Sequence, residues 1–412
     1  MHGVSRGKGF DVSGGTFLRL VSGLLLVGGL GLGCDESESK LCVLDHGEIV
    51  DTAPGLCIAR NFSKLVEDPD ALSAAMDDME RVGATSLRSD VLWHLTEPEP
   101  GVWDFERYDA LVDALEGRDM ELIALLAYGN PWASSQTTGD WTYPPDDPTD
   151  FAHFAAEVAR RYMGRVSRYE IWNEPNAGRF WKPGLSGDPV AWAELVLEAE
   201  AAIHGVDPGA TVILGGTFFP DQIIQGGIEF LEEAVGAYPE LLTRADAVAI
   251  HPYTLYLPHS APEFGGDGET PLVDIFAQTR AITGDMPVVV SEYGWPSWGL
   301  VDMETQGQFL ERSALISASE GATDICWYTL WDFEEPDNPE HSFGLLDREG
   351  GLKPSGEAFS RLSDALSRAS GAAKIHDLPA GSYGVHLEGV GDVVWGEGEV
   401  CGESMSSTPR WF

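Results

Sequence analysis

Basic residues are scarce in this chain of 412 residues. Lysine and arginine together number 25 against 67 aspartates and glutamates, so the formal net charge at pH 7 is -42. Nucleic-acid binding requires a basic surface that displaces counterions from the phosphates, and this composition does not supply one. The charge balance therefore excludes nucleic acid as an expected partner and is typical of a solvated, exported protein.

Cysteine is also rare, with five residues at positions 34, 42, 57, 326 and 401. Their spacing contains no CxxC pair or Cys/His cluster of the kind that binds zinc, so we expect no metal site and no cofactor. In an exported protein some of these cysteines would be bridged. Pairing of Cys42 with Cys57 or with Cys401 is favoured, because Cys326 lies inside an apolar, strand-like run.

Long apolar runs are absent except for one near the N-terminus, from Leu20 to Leu32, which follows three basic residues. Such a run is typical of a secretory signal and is too short for a spanning helix. Its end, Leu30-Gly31-Leu32-Gly33-Cys34, resembles a bacterial lipobox. We therefore expect a signal peptide at residues 1–33, lipidation at Cys34 as the sole membrane attachment, a tether over 34–54, and a periplasmic or cell-surface location.

Between residues 55 and 371, short β-rich runs alternate with longer stretches of helical period, which is typical of repeated βα units. Eight strands are predicted, at Cys57–Asn61, Thr85–Arg88, Leu122–Ala127, Tyr169–Asn173, Thr211–Leu214, Ala247–Ile250, Pro287–Ser291 and Asp324–Leu330. Eight such units predict an α/β fold, a (β/α)8 TIM barrel. An open doubly wound sheet is disfavoured, because Arg60-Asn61-Phe62-Ser63 is unlike the glycine-rich turn that follows the first strand of such sheets.

Residues 372–412 differ from the barrel region, because they are rich in glycine and lack a helical period. They contain two strand-like pieces, Gly384–Glu388 and Asp392–Trp395. We predict a small β-rich C-terminal appendage, which the strand-like segment Leu41–Val50 could join.

In such a barrel, functional residues lie where strands end and loops begin. The residues in these positions are Arg88, Asn173, Glu174, His251, Tyr253, Glu292 and Trp331. Two glutamates on different strands suit cleavage of a glycosidic bond, in which one carboxyl donates a proton and the other, ionised, attacks or activates water. No Ser/His/Asp triad, phosphate loop or metal triad competes with them.

The segment Ile171-Trp172-Asn173-Glu174-Pro175-Asn176 resembles the acid/base motif of the clan A retaining glycoside hydrolases. Ser291-Glu292-Tyr293-Gly294-Trp295 resembles the nucleophile segment of that clan. Within the clan the chain is most similar to family 39, including its bacterial exopolysaccharide hydrolases, on the strength of Trp103-Asp104-Phe105 and Phe180-Trp181-Lys182-Pro183. The resemblance spans roughly residues 55–365.

The resemblance implies that Glu174 is the general acid and base and that Glu292 is the nucleophile of a retaining reaction. It also implies supporting or substrate-binding roles for Arg88, Asn173, His251, Tyr253 and Trp331. Trp331 would form the floor of the subsite for the reacting sugar. Several clan members carry a histidine after the third strand; here Asn130 or Tyr128 stands in that region.

Aromatic residues near the strand ends predict a cleft for an oligo- or polysaccharide. They are Trp93, Trp132, Trp141, Tyr143, Phe180, Trp181, Trp295 and Trp298. The strongly negative charge disfavours an anionic polymer, unless a basic pocket around Arg179 and Lys182 overrides it. Two alternatives stay open: an exo-acting glycosidase or transglycosylase, and a barrel that binds cell-surface polysaccharide without cleaving it. No oligomeric state is predicted.

Overall fold

The computed structural model describes residues 44–51, 53–136, 139–219, 226–254, 261–264, 270–333 and 338–412. The predicted signal peptide, the lipidation site Cys34 and Cys42 lie outside these residues. None of the helices in the described part of the chain is long and apolar enough to cross a membrane.

Eight parallel strands in the described residues close into a barrel, in which each strand pairs with its neighbour in sequence and the last pairs with the first. The strands are β1 (Gly55–Ala59), β2 (Ser86–Leu92), β3 (Glu121–Ala127), β4 (Arg168–Ile171), β5 (Thr211–Phe218), β6 (Ala247–His251), β7 (Val288–Tyr293) and β8 (Ala322–Trp327). This confirms the predicted (β/α)8 TIM barrel. The predicted functional positions lie at or beyond the carboxyl ends of these strands, except for Arg88, which lies inside β2 because that strand continues to Leu92.

The helices surround the barrel, and their start signals are visible in the sequence. They are α1 (Pro69–Val82), α2 (Trp93–Thr96), α3 (Glu106–Glu116), α4 (Pro148–Tyr162), α5 (Pro189–Val206), α6 (Gly227–Ala237), α7 (Leu241–Arg244), α8 (Leu272–Thr283), α9 (Met303–Ser319) and α10 (Pro354–Arg368). Three of them begin with an Asp-Pro pair, at Asp68, Asp147 and Asp188. Each aspartate caps free backbone N–H groups of the first turn, and each proline occupies a position that needs no donor.

The interior of the barrel is lined by small and branched apolar side chains, including Ile123, Ile213 and Val289. Cys57 and Cys326 belong to this layer, face each other in the β1–β8 pairing at a Cα–Cα distance of 4.1 Å, and form a disulfide. The predicted pairing of Cys42 with Cys57 is therefore wrong. The prediction treated the strand around Cys326 as merely apolar, whereas barrel closure places that cysteine beside β1.

The C-terminal residues form the predicted β appendage. Its strands are β9 (Ala372–Lys374), β10 (Ser382–Leu387), β11 (Gly391–Gly396), β12 (Glu399–Val400), β13 (Glu403–Ser404) and β14 (Arg410–Trp411). Four form an antiparallel sheet in the order β14-β11-β10-β9. His46 and Val50 pair with Ile375 and Ala372, as the strand-like character of residues 41–50 suggested. Cys401, in this appendage, is also disulfide-bonded.

Candidate active site

The end of β4 positions Glu174 through an unusual backbone. Trp172 and Glu174 have φ angles of 70° and 43°, in the left-handed region that non-glycine residues seldom adopt. The Glu174 N–H donates to the carbonyl of Gly216 at 2.9 Å, which fixes the turn against β5. Strain of this kind persists where the surroundings hold it and is concentrated at functional sites.

Two glycines on β5 make room for this turn. A Cβ at Gly215 would lie 2.2 Å from the Ile171 carbonyl oxygen, and a Cβ at Gly216 would lie 2.2 Å from Nε2 of His251. The β5–β6 register shifts between Leu214 and Thr217, around the same pair. The Gly-Gly sequence therefore allows the ends of β4 and β6 to approach each other.

Arg88, at the centre of the site, links three neighbouring polar groups. Its Nε and Nη2 donate to Glu170 at 2.7 and 2.9 Å, its Nη2 also donates to Oδ1 of Asn173 at 2.8 Å, and its Nη1 donates to Glu292 at 2.8 Å. Burial opposes the charge of Arg88, but Glu170 and Glu292 outweigh it and raise its pKa. Burial also opposes ionisation of Glu170, yet Arg88 lowers the pKa of that carboxyl. Both groups of this buried pair are therefore charged.

Glu292, at the end of β7, has both carboxylate oxygens engaged. Oε2 accepts from Arg88 and Oε1 accepts from the Tyr253 hydroxyl at 2.9 Å. Burial and the Glu292 charge keep the pKa of Tyr253 well above its ordinary value, so the phenol remains a donor. With 19% of its side chain exposed, Glu292 faces the cavity as an oriented, hydrogen-bonded carboxylate.

Glu174 has a different environment. Burial raises its pKa to about 7, although Arg88 and Arg179 favour its ionised form. Its Oε1 lies 3.0 Å from Nδ1 of His251. Burial, with Arg88 acting in the same direction, lowers the pKa of His251 to about 4, so the ring is neutral at neutral pH.

A chain of hydrogen bonds assigns the tautomer of His251. Glu170 is ionised and can only accept, and Ser291 Oγ donates to it at 3.1 Å. Ser291 is then the acceptor for Nε2–H of His251 at 3.0 Å. The unprotonated Nδ1 is left to accept a hydrogen bond from the carboxyl of Glu174 in its protonated form. The network therefore favours Glu174 as an acid, while Glu292 accepts hydrogen bonds from Arg88 and Tyr253.

These groups open onto a cavity of about 590 Å³ at the carboxyl ends of the strands. The predicted residues that line it are Arg88, Asn173, Glu174, Tyr253, Glu292 and Trp295. Of the predicted aromatic residues, Phe180 and Trp298 also line it, and so does Tyr128, one of the two residues considered after β3. His251 is fully buried behind Glu174.

Besides His251, three further predicted site residues do not line the cavity. Asn130 is buried and donates to the carbonyl of Glu97 at 2.8 Å. Trp181 is buried against Trp172, with ring centroids 4.7 Å apart. Trp331, expected to form the floor of the sugar subsite, donates from Nε1 to Asp78 at 2.8 Å and does not line the cavity. Each of these side chains packs against, or hydrogen-bonds to, a residue away from the cavity. Its position after a strand does not predict that contact.

Other residues of the site escaped the sequence analysis. Glu170 was missed although a charged residue within the buried strand β4 was a signal, since such a charge requires a partner. Asp90, two residues after Arg88, lines the cavity and accepts from Asn61 at 2.8 Å. Burial raises the pKa of Asp90 to about 6. Tyr328, just beyond β8, lines the cavity as well.

Glu174, His251 and Glu292 offer donor atoms that all lie within 4.8 Å of one another. Metal ligation would have to replace existing hydrogen bonds, because both nitrogens of His251 and both oxygens of Glu292 are already engaged. We assign no metal to these three residues.

Comparison with known proteins agrees with this geometry. The family model of cellulase (glycosyl hydrolase family 5) matches residues 58–334. The curated β-xylosidase of Geobacillus stearothermophilus is 24% identical over 246 residues, which cover 53% of this chain. The matched region covers 46% of that relative, so the chain spans about half of its length.

Solved structures share the fold. A family 39 glycoside hydrolase from Bacteroides cellulosilyticus WH2 has a TM-score of 0.66 at 22% identity, covering 85% of this chain and 72% of the other. A GH39 β-xylosidase from Caulobacter crescentus has a TM-score of 0.63 at 18% identity, covering 85% and 78%. The chain therefore belongs to the cellulase (glycosyl hydrolase family 5) family of clan A, and its resemblance among solved structures is to glycoside hydrolases of family 39.

Proposed function

We propose that this protein is a retaining glycoside hydrolase that cleaves O-glycosidic bonds of a poly- or oligosaccharide by double displacement. The observation that carries the proposal is the pair of carboxyl groups of Glu174 and Glu292, which follow β4 and end β7, line the same cavity and have different hydrogen-bond partners. An oxygen of Glu174 lies within 4.8 Å of an oxygen of Glu292. Retaining enzymes hold their carboxyl groups about 5–5.5 Å apart, whereas inverting enzymes need about 6.5–9.5 Å to admit a water.

In the first step Glu174 donates its proton to the glycosidic oxygen while Glu292 attacks the anomeric carbon. The bond to the leaving group breaks and a glycosyl ester of Glu292 forms. In the second step the Glu174 carboxylate takes a proton from water, which attacks the same carbon and releases Glu292. Hydrogen bonds from Arg88 and Tyr253 keep Glu292 oriented for attack. The same donors stabilise its carboxylate when it is released in the second step.

The substrate class proposed is a β-linked glycan, and β-xylosides are the first to test because relatives of the chain are β-xylosidases by name. The experiment uses aryl β-glycosides and β-linked oligosaccharides with the purified protein, and follows the first-formed anomer by NMR. A product of retained configuration is expected. An inverted product, or no release of reducing ends from any β-glycan tried, would refute the proposal.

Variants at the two glutamates separate their roles. With 2,4-dinitrophenyl glycosides, whose leaving group needs no proton, Glu174→Ala should still form the glycosyl ester, and added azide should restore its turnover as a glycosyl azide of retained configuration. Glu292→Gln should lose turnover by several orders of magnitude with every leaving group. The exposed Glu349→Gln variant, which makes the same chemical change away from the cavity, should match the unmodified protein. Near-normal activity of Glu292→Gln would contradict the assignment.

We also propose that the protein is exported and lipid-anchored through Cys34. The N-terminal pattern of charge, apolar run and lipobox supports both export and lipidation. The Cys57–Cys326 disulfide supports export, since disulfides persist in oxidising compartments. Metabolic labelling with an alkyne fatty acid should mark the protein in a bacterial host, and Cys34→Ser should abolish the label. Labelling that persists in that variant would refute lipidation at Cys34.

A further inference from the structure

Most basic residues in the described part of the chain form ion pairs with carboxylates, as expected when acids outnumber bases so strongly. Four form none with a described residue: Arg60, Lys64, Arg179 and Arg348. Two of these four, Arg60 and Arg179, line the catalytic cavity.

Arg60 is held in place without being neutralised. It directly follows β1, and its guanidinium lies 5.0 Å from the ring centroid of Trp331 and 4.6 Å from that of Phe333. Its Nη1 donates to Oγ1 of Thr329 at 3.3 Å. Burial lowers the pKa of Arg60, and among the described residues no carboxylate forms an ion pair with it. These contacts orient the planar group and leave most of its five N–H donors for another acceptor.

Arg179 adds a second positive charge on the loop after β4. It is exposed and lies over the ring of Phe180 at 5.1 Å. Lys182, expected beside it in a basic pocket, is instead ion-paired with Asp140 and does not line the cavity. The prediction that Lys182 joins Arg179 in a basic pocket is therefore wrong. The basic residues without an ion pair to a described residue that line the cavity are Arg60 and Arg179.

The other charged residues that line the cavity are Arg88, Asp90, Glu174, Glu292 and Glu340, and no ion pair joins any of these described residues to Arg60 or Arg179. Arg88 forms ion pairs with both Glu170 and Glu292, so Glu292 already has a cationic partner other than Arg60 and Arg179. Asp90 accepts from Asn61, and its charge acts on Arg88, whose pKa it helps to raise. An oriented guanidinium in a partly desolvated cavity is well suited to a planar carboxylate, which it can bind through two parallel hydrogen bonds.

We propose that the glycan carries a carboxylate, as on a uronic acid residue, that Arg60 binds while Arg179 adds positive charge at the rim. The inference rests on the proposed function, since it names the chemistry of the substrate at the same cavity. It reverses the expectation from net charge, because a guanidinium in contact with an anion outweighs a field that salt screens over about 10 Å.

The test compares sugars that differ only in the carboxylate. The probes are oligoglucuronate, oligomannuronate and glucuronoxylan oligosaccharides, each against its carboxyl-reduced counterpart, with binding to Glu292→Gln measured by calorimetry. At least one uronate should bind tenfold or more tightly than its reduced partner. Adding Arg60→Gln should remove most of that preference and leave the reduced sugar unaffected, and adding Arg179→Gln should weaken it by a smaller factor.

Lys64→Gln is the matched control, because Lys64 also lacks an ion pair but lies outside the cavity lining. It should leave the preference intact. If no uronate binds better than its reduced partner, or if the preference survives Arg60→Gln, the inference is wrong. Preferential uronate binding without turnover by the unmodified protein would instead refute the proposed hydrolysis and leave the carboxylate site standing.

Discussion

Glu174 and Glu292 have identical side chains but different surroundings, as their proposed roles of acid and nucleophile require. Burial and the His251–Ser291–Glu170 chain favour the proton on Glu174. The guanidinium of Arg88 and the phenol of Tyr253 donate hydrogen bonds to the two carboxyl oxygens of Glu292. A pair of titratable groups whose environments separate their protonation states is what acid/base catalysis at neutral pH requires.

The first prediction at this scale concerns pH. Because the pKa of Glu174 is about 7 and the acid must be protonated, kcat/KM on substrates with poor leaving groups should fall as pH rises above about 7, with a slope approaching tenfold per pH unit. On dinitrophenyl glycosides this limb should be weaker, because the leaving group needs no proton. A plateau extending beyond pH 9 on poor leaving groups would contradict the role of Glu174.

The second prediction concerns Ser291→Ala. Without the hydroxyl, Nε2 of His251 loses its acceptor, so the ring can carry its proton on Nδ1 and donate to ionised Glu174. The pKa of Glu174 should fall and the basic limb of kcat/KM should move down by about one pH unit, the equivalent of one hydrogen bond. Ser313→Ala, which removes a buried hydroxyl outside this chain, should lower stability without moving the limb. If the folded Ser291→Ala variant keeps the basic limb of kcat/KM at the same pH, the proposed effect of the His251–Ser291–Glu170 chain on Glu174 is refuted.

At the scale of elements, the C-terminal sheet is connected to the cavity. Nε1 of Trp395, on β11, donates to Glu263 at 2.6 Å, and Glu263 lies between β6 and α8 and is ion-paired with Arg312 of α9. Arg312 lies over Phe309, which packs on Trp295, a residue that lines the cavity. The appendage therefore supports the side of the cavity formed by the segments after β6 and β7.

The third prediction is that Trp395→Phe, which keeps a ring but removes the donor to Glu263, raises KM by about threefold with kcat nearly unchanged, because coupling through packed side chains is typically about 0.5–2 kcal/mol. Trp411→Phe is the matched control. Its Nε1 donates to Glu311 on α9 rather than to the segment before α8. Steady-state kinetics measure KM and kcat for both variants. Equal effects of Trp395→Phe and Trp411→Phe on KM would show that the sheet contributes only general stability.

Elements also show where sequence patterns suffice. Hydrophobic periodicity is local, so all eight strands and the alternation of strands with helices were predicted. The Gly215-Gly216 pair did not indicate its role, because its meaning depends on Ile171 and His251, which approach it only in the closed barrel. Trp331 lay at a strand end as expected, yet Asp78 on α1 determines where its indole points.

At the scale of the whole molecule, the barrel is closed covalently as well as by hydrogen bonds. The Cys57–Cys326 disulfide joins the first and last strands across a sequence separation of 269 residues. At the floor of the barrel, Arg168 of β4 pairs with Asp324 of β8 at 2.6 Å and with Glu121 at 2.7 Å. Closure by a cross-link over so long a loop restricts the unfolded chain strongly.

The fourth prediction is that replacing both Cys57 and Cys326 by alanine lowers the free energy of unfolding by about 2–5 kcal/mol, the usual range for a native disulfide. Urea unfolding of the two proteins measures the difference. A reductant should destabilise the unmodified protein more than the double variant. The double variant no longer has the Cys57–Cys326 bond to lose and keeps only the disulfide that involves Cys401. Equal unfolding midpoints before reduction would contradict a stabilising role.

The sequence by itself determined the eight βα units, the positions of Glu174 and Glu292 at strand ends, and the family resemblance, because these follow from local periodicity and short motifs. Only the tertiary structure decided that Glu170 neutralises Arg88, that Cys57 pairs with Cys326, and that Arg60 rather than Lys182 accompanies Arg179 at the cavity. The physical reason is that charge pairing, burial and protonation depend on neighbours brought together by strand register and barrel closure, over separations that no local pattern encodes.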